Sequence, residues 1–203
     1  MSDNDRRGHR RPAFFSEAAL EAHGPAYDPT EAIHAAHETA SAIVHAGRAA
    51  ADPDLTTRLV AIVDDIGLST LAELWSGRPA RSLPGALWRL YVLREWVRRS
   101  PEEASREYAA GMRFTAPNHA VAGVAEPPGP AEMGRVIDEI LRGVFDGDLG
   151  VALERAAAFC RVIAAGRADL SSGEEAAEQA ANVLVLGDDL AACARLWRVH
   201  TLT

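Results

Sequence analysis

Apolar positions recur at helical spacing along almost the whole chain. Leu55, Leu59, Ile62, Val63 and Ile66 share one helix face, as do Met133, Val136, Ile137, Ile140, Leu141 and Val144. Leu149, Leu153, Ala156, Cys160 and Ile163 form another stripe. Start signals precede the stripes. Asp28-Pro29-Thr30-Glu31 offers a capping Asp, a Pro at the first helical position and a Glu at the third. Asp52-Pro53-Asp54, Thr70 with Glu73, Ser100-Pro101-Glu102-Glu103, Ser172 with Glu175, and Asp148 after Asp146-Gly147 give further starts. Gly67, Gly77, Gly166 and Gly187 each follow an apolar run and read as stops. These signals predict helices near 16–23, 29–51, 53–66, 70–76, 83–99, 101–114, 131–145, 149–165, 173–186 and 189–199. The strand-like run Val183-Leu184-Val185-Leu186 continues an Ala/Glu-rich helical pattern and is read as helix. The expected fold is all-α, a bundle of about eight to ten helices.

Residues 1–27 read as an N-terminal arm with a short helix, and 28–203 as a single all-α domain. The segment 116–130, ending in Glu126-Pro127-Pro128-Gly129-Pro130, is long for a loop in a compact domain. It either divides the domain into halves, 28–115 and 130–203, or straps across its surface. The halves share wording in the same order. Ile43-Val44-His45-Ala46-Gly47-Arg48-Ala49 matches Val162-Ile163-Ala164-Ala165-Gly166-Arg167-Ala168, and Leu87-Trp88-Arg89 matches Leu196-Trp197-Arg198. A duplicated three-helix unit would place three helices of 30–99 on three of 149–202.

Composition narrows the class. The chain has 203 residues, about a fifth of them Ala, with only 6% aromatic, so the core is expected to be aliphatic and fine-grained. All 21 basic residues are Arg. The net charge of −8 is uneven: residues 1–12 carry four Arg against Asp3 and Asp5, leaving 17 Arg against 27 acids in the remainder. An acidic body repels nucleic acid, so nucleic acid is not an expected partner. No apolar run is long enough for a membrane span. The opening residues lack the apolar region of a signal peptide, and the expected location is cytoplasmic. Cys160 and Cys193 fall in helical segments and are read as unpaired.

Candidate chemistry is sparse. On the first long helix Glu31, His34, Glu38 and His45 gather opposite the apolar face, a pattern that seeds a metal site or, more simply, a solvated face. His37 sits at the edge of the apolar face, and His119 falls in the long loop without an evident partner. Asp64-Asp65 lies near a helix C-terminus, against the dipole, which calls for a compensating Arg. Asp146-Gly147-Asp148 lacks calcium-loop spacing and reads as a turn into a cap. The helix near 83–99 is apolar nearly all round and carries Arg94 close to the centre of its main stripe. Such an Arg either ties helices through an acid or anchors an anion. Arg78 and Arg81, with Trp75 and Trp88 nearby, offer a partner-binding rim. Ile66-Gly67-Leu68-Ser69 suggests a helix-turn-helix turn, but the helix after it holds Glu73 and no basic residue. No nucleophile elbow, phosphate-binding loop, dinucleotide fingerprint or zinc-ligand pair occurs.

The block Arg78-Pro79-Ala80-Arg81-Ser82-Leu83-Pro84-Gly85-Ala86-Leu87-Trp88-Arg89-Leu90-Tyr91 resembles one shared by all-helical proteins of high-GC actinobacteria that have no established activity. The runs Ile140–Phe145 and Ala156–Arg161 are similar to theirs too, and the resemblance covers about residues 30–200. It implies a cytoplasmic bacterial protein and brings no catalytic residue or cofactor.

The reading that follows is a non-catalytic helical module that binds a protein partner or itself, with Arg94, Arg78, Arg81, Trp75 and Trp88 as candidate binding residues and no catalytic, cofactor or metal residue assigned. Two alternatives stay open: a helical enzyme or ligand binder with a site between helices, and a DNA-binding regulator.

Overall fold

A computed structural model describes residues 28–124 and 126–203; the expected N-terminal arm and the helix at 16–23 lie outside the described residues. The described chain is an all-α bundle of ten helices: α1 (Pro29–Ala50), α2 (Pro53–Val60), α3 (Ile62–Ile66), α4 (Leu68–Trp75), α5 (Leu83–Arg99), α6 (Pro101–Met112), α7 (Ala116–Ala122), α8 (Pro130–Asp146), α9 (Leu149–Leu170) and α10 (Glu174–Arg198). None of them is long and apolar enough to cross a membrane.

Several starts form as the sequence dictates. Asp28, Asp52, Ser82 and Asp148 accept hydrogen bonds from the backbone N–H groups of Thr30, Asp54, Gly85 and Val151, at 2.8, 2.9, 3.2 and 3.0 Å. Others differ. Ser100 caps α6 by position without a side-chain bond, and Gly173 caps α10 in place of Ser172. Thr70 lies inside α4, its hydroxyl turned back to the Ile66 carbonyl at 2.7 Å, because Gly67 at φ +80° already makes the turn between α3 and α4. The helix expected over 53–66 breaks at Ala61 into α2 and α3.

Gly166 and Gly187 are not stops. α9 runs through Gly166 to Leu170, and α10 joins the two helices expected at 173–186 and 189–199. At Gly166 the reason is a close crossing of α9 with α6. A Cβ on Gly166 would sit 1.7 Å from the Glu107 carbonyl oxygen, and one on Gly111 would sit 1.8 Å from that of Val162. Backbone contact of this kind admits only glycine.

α8 and α9 lie at the centre. α9 packs on α10, α6, α7 and α8, while α8 also meets α1, α2, α5 and α6. Buried side chains from both sides of the Pro-rich segment form one cluster, from Val44 and Leu87 through Ile140 and Phe145 to Phe159 and Leu190. The segment expected as loop over 116–130 contains α7, and beyond it Pro128 is buried, its carbonyl accepting from the Ser105 hydroxyl at 2.7 Å. The duplicated unit finds no counterpart. Residues 149–202 hold two helices, α9 and α10, rather than three. Leu87-Trp88-Arg89 sits near the start of α5, while Leu196-Trp197-Arg198 ends α10.

Candidate functional site

Each side of α5 faces a different environment. One side is sealed. Arg94 is 1% exposed; its Nε donates to Asp138 at 2.6 Å, and its terminal nitrogens donate to both oxygens of Asp64 at 3.2 and 3.4 Å. Arg98 adds a second cation, 3.4 Å from Asp64. The network ties α3, α5 and α8 together and supplies the compensating charge that Asp64 needs near the end of α3. Burial disfavours the Arg94 cation, but the hydrogen bonds to Asp64 and Asp138 outweigh it and hold the guanidinium charged more firmly than usual. The Asp64 carboxyl is held below the usual 3.8, first by its hydrogen bond from Arg94. Both acceptors are taken up by the fold, so Arg94 is a structural tie rather than an open anion anchor.

Trp75 also belongs to the interior. It is fully buried, stacks on Tyr91 with ring centroids 6.2 Å apart, and donates through Nε1 to the Thr39 hydroxyl at 3.2 Å. Tyr91 in turn donates to the Leu59 carbonyl at 2.6 Å.

The opposite side of α5 opens onto α10. Val92, Leu93 and Trp96 of α5 face Gln179, Asn182, Val183 and Leu186 of α10 across a groove of about 310 Å³, which Arg167 of α9 closes at one end. A second stretch of about 280 Å³ shares Asn182 and Leu186 and continues to Trp88, Arg89, Ser76, Val185 and Asp189. The two tryptophans bracket the seam; eight residues apart, they stand about 12 Å from each other along α5. Both ends are fixed by ion pairs. Arg167 binds both oxygens of the buried Glu107 at 2.7 and 2.9 Å and lies 5.2 Å from the centre of the Trp96 ring. At the other end Asp189 meets Arg81 at 3.1 Å and Arg89 at 3.8 Å. Arg78, half-buried just beyond, has an Nε without a hydrogen-bond partner among the described residues.

Apolar side chains on α10 also stand exposed to solvent. Leu184 and Val185 are 44% and 59% exposed, although they lie in the middle of a 25-residue helix. Leu184 lines a separate groove of about 390 Å³ between α9 and α10, walled mostly by alanines of the two helices. That wall lacks the aromatic anchors of the α5/α10 seam.

Comparison with known proteins finds no matching family model, no matching curated protein and no matching solved structure.

Of the residues singled out in the sequence, Trp88 lines the seam, Arg81 braces its end and Arg78 lies nearby, whereas Arg94 and Trp75 face away from it. Trp96, Val183 and Leu186 went unremarked as site residues. The available signal was that the helix over 83–99 is apolar on nearly every side, which requires a second neighbour.

The other titratable groups are not assembled into a centre. His34 meets Glu38 at 3.0 Å with both side chains about two-thirds or more exposed, and His45 is exposed. Among the described residues no three His, Cys, Asp or Glu are placed to hold a metal ion. His119 lies on α7 and has a partner after all: its Nδ1 is 3.3 Å from the Tyr108 hydroxyl. Burial raises the Tyr108 hydroxyl to about 12, and the thiols of Cys160 and Cys193, both free and buried, to about 12 and about 11. Thiols held that high are poor nucleophiles.

Proposed function

We propose that the chain is a non-catalytic helical interaction module that takes a short amphipathic protein segment into the groove between α5 and α10. The observation that carries this reading is the first half of α10, where Val183, Val185 and Leu186 stand beside Trp88 and Trp96 with solvent access on one side. Side chains of this kind lose stabilisation in water and regain it when a partner covers them. Trp and Arg at both ends supply the anchors that dominate the energetics of protein contacts. Gln179 and Asn182 offer amide groups to the backbone of an incoming segment. The first turn of α10 carries Glu174 and Glu175, with Glu178 exposed one turn on, so the preferred segment is apolar at its centre and basic at its flank.

A cytoplasmic bacterial setting is part of this reading and rests on the resemblance of residues 78–91. A small apolar ligand in the same seam is the alternative favoured by its volume, which stands at the lower end of ligand pockets. DNA binding has less support, because α4, the helix after Gly67, carries Glu73 and no basic side chain.

Panning a library of random 15-residue peptides on the full chain tests the reading. Enriched peptides are expected to carry two large apolar residues at helical spacing and a basic flank. They are expected to bind Trp96→Ala and Leu186→Glu at least tenfold more weakly, while Leu184→Glu, on the other groove, binds them normally. Failure to enrich any peptide, or binding indifferent to both seam substitutions, would overturn it.

A further inference from the structure

We infer that the chain carries its own occupant for the α5/α10 groove: the N-terminal segment around Phe14 and Phe15, which an outside partner must displace. The inference rests on the interaction reading given above and names the first ligand of that same site.

Three observations point to this segment. Its chemistry is what the groove demands. Arg6, Arg7, Arg10 and Arg11 precede Phe14-Phe15, so a cluster of cations adjoins two adjacent aromatic side chains. Its charge is complementary. The chain beyond residue 12 holds 17 Arg against 27 acids, and Glu174, Glu175 and Glu178 stand exposed where α10 begins beside the seam.

Its reach is sufficient. The described chain begins at Asp28, eleven residues or about 17 Å of helix before Thr39. Thr39 accepts the Trp75 indole N–H at 3.2 Å, and Ser76, the next residue, lines the near end of the seam. With the expected helix at 16–23, the twelve residues 16–27 span up to about 26 Å. Phe15 therefore reaches the near end of the groove of its own molecule, beside Ser76.

A tethered ligand needs little intrinsic affinity. At an effective concentration of about 1 mM, a contact with Kd of about 0.1 mM is occupied roughly ten to one. A free segment of the same chemistry then binds about tenfold more weakly than it would to an open groove. The docked segment would act as a threshold, passing partners that bind more tightly than it does.

The test uses a labelled synthetic peptide of residues 5–22 titrated into the full chain and into the full-chain double variant Phe14→Asp/Phe15→Asp. The variant is expected to bind the peptide about tenfold more tightly than the unaltered chain, and adding Leu186→Glu to it is expected to abolish that binding. Equal affinity for both chains, or no binding to either, would overturn the inference. A dimer of the unaltered chain that the Phe substitutions dissociate would overturn it as well, since the segment would then sit on a second copy. If panned peptides bind the seam while the Phe substitutions change nothing, this inference fails and the interaction reading stands. Loss of all seam-directed binding would sink both.

Discussion

The two halves of α10 have similar apolar content and opposite fates. From Gly187 onward the helix is seated: Leu190 and Cys193 are fully buried, and Gly187 presses against the Ala157 carbonyl, where a Cβ would come within 3.1 Å. Before Gly187, only Ala180 is buried, and Leu184 and Val185 face outward. α5 repeats the contrast across its width, with Arg94 sealed on one side and Trp88 and Trp96 half-open on the other. Apolar residues with neighbours stabilise the fold; those without neighbours remain available to a partner.

Mutations can break or sharpen this contrast. Arg94→Ala should have the largest effect, a loss of about 3 kcal/mol, because it empties a buried site and leaves Asp64 and Asp138 with only the half-exposed Arg98 between them. Urea unfolding measures it, and an unchanged midpoint would show that the sealed side is not held by this tie. The same network sets an acid dependence. The Asp64 carboxyl is lowered in the folded state, so its contribution is fully present above its ordinary value of 3.8 and is lost as pH falls below it. Asp64→Asn should therefore lower stability at neutral pH and flatten the decline between about pH 4 and pH 2.

Within α10, Leu190→Ala should cost about 3 kcal/mol and Leu184→Ala under about 1 kcal/mol. Similar costs at the two positions, read by thermal or urea unfolding, would erase the distinction between the halves. His34→Ala should be the mildest, within about 0.5 kcal/mol, because the His34–Glu38 pair is solvated on both sides. A bound metal that disappears in this variant would move attention from the seam to α1.

How much of this was legible in the sequence depended on the range of the forces involved. Caps at Asp28, Asp52, Ser82 and Asp148 act within three residues, so local spacing sufficed for them. The all-α class followed from them and from the apolar stripes. Gly166 and Gly187 misled because a glycine at a helix crossing and one at a helix end look alike until the crossing partner, Glu107 or Ala157, is known. α7 hid in a Pro-rich stretch whose own prolines fall outside the helix interior: Pro117 lies in its first turn and the remainder follow its end.

The site was half visible for the same reason. Trp88 and Arg81 stood out by residue type, and they reach the seam. Trp75 and Arg94 stood out equally and turned inward, since Thr39, Asp64 and Asp138, distant in sequence, supply their partners. Val183 and Leu186 read only as part of an apolar helical run, because exposure is decided by what packs alongside, not by the residue.

The most direct test of the account is hydrogen exchange across α10 in the full chain, with and without a panned peptide. Residues 179–186 should gain protection on binding, together with residues 92–96 of α5, while residues 190–198 stay unchanged. Protection that appears on α1 around His34, or on no part of the α5/α10 seam, would contradict it.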